Sequence, residues 1–92
     1  MSVFNRDYII TVDGSTDAHN IPLSTNYMFY AVGNFGGGIL SFETSPDFGV
    51  TWLTVDEMME NGRVIRYLSS GEKVRVTLSG ATSPSISSGI RQ

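Results

Sequence analysis

The 92-residue sequence predicts an all-β domain, an antiparallel β-sandwich or small jelly-roll-like barrel of about seven strands. Three observations carry this expectation. Short segments rich in β-branched and aromatic residues recur about every dozen residues, each closed by Gly, Pro, Asn, Asp or Ser. Several of them alternate apolar and polar residues with the period of two that a half-buried strand needs. The one stretch with room for helix, Asp56–Gly62, is a single turn ending at glycine, too short to hold alone.

The first strand is expected over Arg6–Val12, where Tyr8, Ile10 and Val12 share a face, and Asp13-Gly14-Ser15-Thr16-Asp17 ends it as a turn. Ala18–Ser24 reads as a connection, because Pro22 cannot donate to a central ladder. Thr25–Val32 is the most apolar run and suits a strand covered on both sides or an inter-subunit strand. Gly33–Gly38, with four glycines in six residues, supplies a wide turn or bulge. Ile39–Thr44 places Leu40, Phe42 and Thr44 on one face, and Val50–Val55 follows after a compact turn. Val64–Leu68 and Lys73–Leu78 form a pair across the four-residue loop Ser69–Glu72, with Val74, Val76 and Leu78 inward. Ser85–Ile90 is expected as an edge strand or an arm on a neighbour, so residues 79–92 form a candidate assembly segment of the single 1–92 domain.

Size and charge narrow the function. A 10.0 kDa chain buries roughly 64 % of its extended surface, leaving roughly 5,200 Å² exposed. There is no cysteine to staple so thin a core, which favours a partner subunit. The formal charge of −3, with six basic against nine acidic residues, opposes a phosphate-gripping role. Arg63, Arg66, Lys73 and Arg75 are the densest basic segment, and with Tyr27, Tyr30, Phe35 and Tyr67 would be the material of a nucleic-acid stacking platform. Solvated strand faces explain the same residues more simply. No apolar run approaches a membrane span or a signal-peptide core, so synthesis in a reducing cytoplasm is expected.

Catalytic and metal chemistry find little material. His19 is the only histidine, and no Gly-x-Ser-x-Gly elbow accompanies it, so no triad, catalytic residue or resident metal site is assigned. Asp13–Asp17 lacks the length and final glutamate of an EF-hand, and Gly33–Gly38 lacks the Lys-Ser/Thr of a phosphate loop. No cofactor is expected. Glu43, Asp47, Asp56 and Glu57 could supply a glycosidase pair, but nothing in their spacing sets the required separation.

The most specific local motif is Ser45-Pro46-Asp47-Phe48-Gly49-Val50-Thr51-Trp52, which resembles the Asp-box hairpin, Ser-x-Asp-x-Gly-x-Thr-Trp, of sialidase-type propellers and other β proteins. The resemblance implies a structural turn. Asp47 accepts turn N–H groups, Gly49 takes positive φ, and Trp52 plugs the hairpin base. One such box in so short a chain excludes a complete propeller.

A wider resemblance rests on Gly36-Gly37-Gly38-Ile39-Leu40-Ser41-Phe42-Glu43-Thr44, running into the Asp-box, and on Gly71-Glu72-Lys73-Val74-Arg75-Val76-Thr77-Leu78-Ser79-Gly80-Ala81-Thr82-Ser83-Pro84-Ser85. Together these resemble small structural proteins of tailed bacteriophages over about half the chain. The resemblance implies a non-enzymatic virion component, a capsid decoration or cement protein or another head-tail particle component, acting as a homo-oligomer, a trimer preferred, against another virion protein. The expected setting is a phage particle, after synthesis in the host cytoplasm. Tyr27, Phe29, Tyr30, Ile86 and Ile90 are the candidate assembly contacts. The alternative is a carbohydrate-binding β module using aromatics near Tyr27, Tyr30, Phe35 or Trp52.

Overall fold

A computed structural model describes residues 4–92 as two antiparallel sheets and no helix; residues 1–3 of the expected domain lie outside the described residues. Nine strands replace the expected seven because the Asp13–Asn20 connection contributes two short bridges. The strands are β1 (Asn5–Ile10), β2 (Gly14–Ser15), β3 (His19–Asn20), β4 (Thr25–Asn34), β5 (Ile39–Ser45), β6 (Leu53–Met58), β7 (Gly62–Leu68), β8 (Lys73–Ser79) and β9 (Ser85–Arg91). One sheet, sheet A, has the order β1-β9-β4-β7. The other, sheet B, has the order β2-β8-β5-β6, with β3 also paired to β8.

This order is the winding of a jelly roll. The β5–β6 hairpin is the tip of a long two-stranded ribbon, and β4 pairs with β7, β2 with β8 and β1 with β9 further along it. Folding the ribbon over creates the remaining pairs, β4 with β9 and β5 with β8. The Asp-box loop therefore sits at the one place where the two halves of the ribbon meet locally in sequence.

Alternation decides what each strand buries. Tyr27, Phe29 and Ala31 of β4 point into the sandwich, whereas Met28 and Tyr30 are half-buried on the outer face and Val32 is exposed. The expectation that this run is covered on both sides is thus corrected: only one face packs within the chain. In sheet B, Leu40, Phe42 and Thr44 share the inner face of β5 and Val74, Val76 and Leu78 that of β8, as the period of two requires. Phe29 and Phe42 meet across the sandwich with ring centroids 4.7 Å apart, and Phe4 packs edge-on against Tyr27 at 5.9 Å. Each fully buried large side chain of this kind contributes about 1.5–3 kcal/mol relative to exposure. The accessible surface, 5129 Å², agrees with the scaling expectation.

Three further expectations give way. Val64–Leu68 and Lys73–Leu78 do not form a hairpin across Ser69–Glu72, because β7 pairs with β4 in sheet A and β8 with β5 in sheet B. Asp56–Gly62 does not form a helical turn, because Asp56, Glu57 and Met58 continue pairing with Phe42, Ser41 and Leu40. Pairing of Glu43 with Thr54 and Phe42 with Asp56 leaves Val55 as an extra residue, a bulge in β6. Ser85–Arg91 is neither an edge strand nor an arm. It lies between β1 and β4 in the middle of sheet A, with Ile86, Ser88 and Ile90 turned inward and buried.

Candidate functional site

Four of the five candidate assembly contacts belong to the core. Tyr27, Phe29, Ile86 and Ile90 are buried within the chain, since each occupies an inward position of the two-residue period. Their side chains are taken up by the core of the chain itself. Tyr30 lies on the outer face, where its hydroxyl donates to Asp7 Oδ1 at 2.9 Å. Arg91 pairs with the same carboxylate oxygen, and its guanidinium carbon lies 5.3 Å from the Tyr30 ring centroid. Arg91, followed by Tyr30, holds the Asp7 carboxyl below its ordinary value, while burial, then Asp7, raises the Tyr30 hydroxyl. Gly89 lies beneath this cluster, where a Cβ would come within 2.5 Å of Tyr30 Cε1.

Around the cluster the outer face of sheet A mixes exposed apolar side chains with polar ones such as Asn26, Arg63 and Ser87. The register sets Ile65 beside Met28, Tyr67 beside Asn26, and Val32 and Ile9 on either side of Ser87. Residues paired directly across a ladder project to the same face, so these side chains form one surface. Ile9, Ile65 and Tyr67 are each more than 60 % exposed. A shallow depression of about 290 Å³ opens in it, with Met28 and Ile65 among its walls and Asn26, Arg91 and Gln92 around them. Sequence reasoning placed Met28, Tyr30 and Val32 in a candidate inter-subunit strand but missed Ile9 and Ile65. The readable signal was the continuous apolar run of β4, which has more apolar residues than one buried face can use.

The second feature is the Asp-box loop. Ser45 is buried; its hydroxyl donates to Asp47 Oδ1 at 2.8 Å and accepts the Gly49 N–H at 2.7 Å. The Thr51 N–H donates to Asp47 Oδ1 at 2.7 Å. Thr51, followed by Ser45, holds the Asp47 carboxyl below its usual range. Trp52 Nε1 donates to the Gly49 carbonyl at 3.1 Å. Its ring is half-buried and lies against the loop, outside the main core. The Arg75 guanidinium carbon sits 4.1 Å from the Trp52 ring centroid, and Arg75 pairs with Glu43 at 2.7 Å. Thr77 donates to Glu43 and shares a hydrogen bond with Ser15. Loop and sheet B are thus tied by one chain of polar contacts. Phe48 and Val50, by contrast, project from the tip, 82 % and 83 % exposed.

Carbohydrate recognition needs open aromatic faces. Tyr27 and Phe35 are buried, Arg75 covers one face of Trp52, and Tyr30 is tied to Asp7. These aromatics do not converge on a groove. His19 stacks on Tyr8, with centroids 6.0 Å apart, and burial, then Arg6, lowers its pKa. The described residues contain no cluster of three or more His, Cys, Asp or Glu side chains arranged to hold a metal. Nor do they contain a helix long and apolar enough to cross a membrane.

No protein-family model and no curated protein matches the chain. A crystal structure of PirA is similar over 100 % of this chain and 96 % of that one, with a TM-score of 0.56 at 10 % sequence identity. At that identity the likeness shows the all-β sandwich fold alone.

Proposed function

We propose that this chain is a non-enzymatic structural component of a phage particle, a decoration or cement protein that works by homo-oligomeric assembly. The observation that supports the reading best is the outer face of sheet A, where Ile9, Val32, Ile65 and Tyr67 are exposed on one sheet surface. Isolated exposed apolar residues are ordinary, but a group sharing one face favours a contact surface. Jelly-roll winding suits the reading, since viral capsid domains use it, although lectins and cupins use it too. The virion setting and trimer number rest on the sequence resemblance.

Sedimentation equilibrium tests the assembly claim. The unaltered chain should self-associate at micromolar concentration, and Ile65→Asp should shift it to monomer with an unchanged circular dichroism spectrum. Gradient-purified particles of the phage that encodes the chain test the setting: the chain should sediment with them in a fixed ratio to the major capsid protein. A chain that is monomeric at every concentration, or absent from particles, would contradict the corresponding half.

A further inference from the structure

We infer that Asn61 is a site of spontaneous modification, at which the folded chain converts the side-chain amide to aspartate or isoaspartate through a cyclic imide formed with Gly62. The inference is independent of the assembly reading above. Asn61 is the only asparagine of the sequence followed by glycine. The pair leaves the turn between β6 and β7 and enters β7, and both residues are exposed. In the reaction the Gly62 backbone nitrogen gives up its proton to hydroxide and attacks Asn61 Cγ. The N–Cγ bond forms, the Cγ–Nδ2 bond breaks, and Nδ2 takes up a proton and leaves as ammonia. Water then opens the imide at one carbonyl or the other, giving aspartate or isoaspartate without oxidant, reductant or cofactor.

The fold favours attack at this position in access and in charge. Gly62 has no Cβ to shield its nitrogen, and a Cβ there would meet nothing nearer than 3.8 Å, the Met58 sulfur and terminal methyl. Its pairing with Ala31 is the last rung of the β4–β7 ladder, where a strand opens most readily. The Gly33 N–H donates to Asn61 Oδ1 at 2.8 Å, and Oδ1 is the oxygen that gains negative charge when Cγ becomes tetrahedral. A donor already in place stabilises such an oxyanion without reorganisation. Gly33 is held in place, at φ 131° against β9, where a Cβ would run into the Ser85 carbonyl oxygen. Asn34 supplies the contrast within the same chain. Its Oδ1 accepts the Gly36 N–H at 2.9 Å, but the next residue is Phe35, whose side chain crowds the attacking nitrogen. Conversion of Asn61 sets a new carboxylate beside Glu60. Isoaspartate also lengthens the main chain by a methylene just ahead of the Ala31–Gly62 rung, so β7 would enter its ladder out of register.

Ageing of the purified chain tests the assignment. Incubated in mildly alkaline buffer, the unaltered protein should accumulate an acidic form; peptide mapping by mass spectrometry should place the change at residue 61, and its isoaspartate should accept methyl groups from an isoaspartyl methyltransferase. Conversion should run at least as fast in the folded chain as in the same chain held in urea, where the Gly33 contact is lost. Asn61→Gln should remove the acidic form. Gly62→Ala, with room for its methyl group, should suppress it with unchanged circular dichroism, and Asn34 should stay intact throughout. Slower conversion in the folded chain than in urea, an aged folded chain with Asn61 intact, or conversion of Asn34 at the rate of Asn61 would overturn the assignment. Should Gly62→Ala fail to fold, the comparison of folded with urea-held unaltered chain still decides it.

Discussion

Gly89 shows how a single missing Cβ organises the outer face. Alanine there would place its Cβ 2.5 Å from Tyr30 Cε1, 2.8 Å from the Arg6 carbonyl oxygen and 2.9 Å from Asp7 Oδ1. Two of these neighbours belong to the hydrogen-bonded Tyr30–Asp7 pair, and the third is backbone, so the strain has no easy outlet. Gly89→Ala should cost about 1–3 kcal/mol in urea unfolding. Ser45→Ala removes the acceptor of the Gly49 N–H from a buried position and should cost a similar amount, about 1–3 kcal/mol. Acid should act in two windows. His19 has a lowered pKa in the folded state, so the unfolded chain binds its proton more readily. That contribution is full above the ordinary histidine value and is lost as pH falls through the folded one. Asp7 and Asp47, also lowered, stabilise above the ordinary carboxylate range and lose that contribution at lower pH. Denaturation followed against pH should show the upper step vanish in His19→Gln and the lower step shrink in Asp47→Asn. At this scale the Asp-box residues were legible from their spacing. Gly89 was not, because its constraint comes from a tyrosine 59 positions away in sequence.

Among the elements, β5 and β8 were readable because strict alternation assigns their faces without knowing their neighbours. β9 was not. Its serines and glycine look like a linker, yet Ile86-x-Ser88-x-Ile90 carries the two-residue period, and the buried Ser88 hydroxyl is satisfied by the Tyr30 carbonyl at 2.8 Å. Strand order was equally hidden, since the β1–β9 pairing joins the two ends of the chain. The central place of β9 makes a clear expectation: removing residues 85–92 should abolish the cooperative unfolding transition, whereas loss of a mere arm would leave it intact. Ile90→Ala should cost about 2–5 kcal/mol. The ribbon winding also orders folding. The β5–β6 hairpin closes the shortest loop, and the later pairs close progressively longer ones at greater entropic cost. Stopped-flow measurements should therefore find that Ser45→Ala slows refolding, while Ile90→Ala mainly speeds unfolding.

For the whole molecule, the sandwich satisfies its own core and leaves Ile9, Val32, Ile65 and Tyr67 exposed on one sheet face. The sequence suggested assembly through Tyr27, Phe29, Tyr30, Ile86 and Ile90, of which the fold buries all but Tyr30. Their outward neighbours Met28, Val32 and Ile65 take over that role in the proposed function. The same strand thus serves both requirements, which is why β4 looked apolar on both sides. Sedimentation equilibrium of the unaltered chain beside Ile65→Asp tests this most directly. Concentration-dependent association of the unaltered chain, lost in the variant without change in circular dichroism, is the predicted result; a folded monomer throughout the micromolar range for both proteins would contradict it.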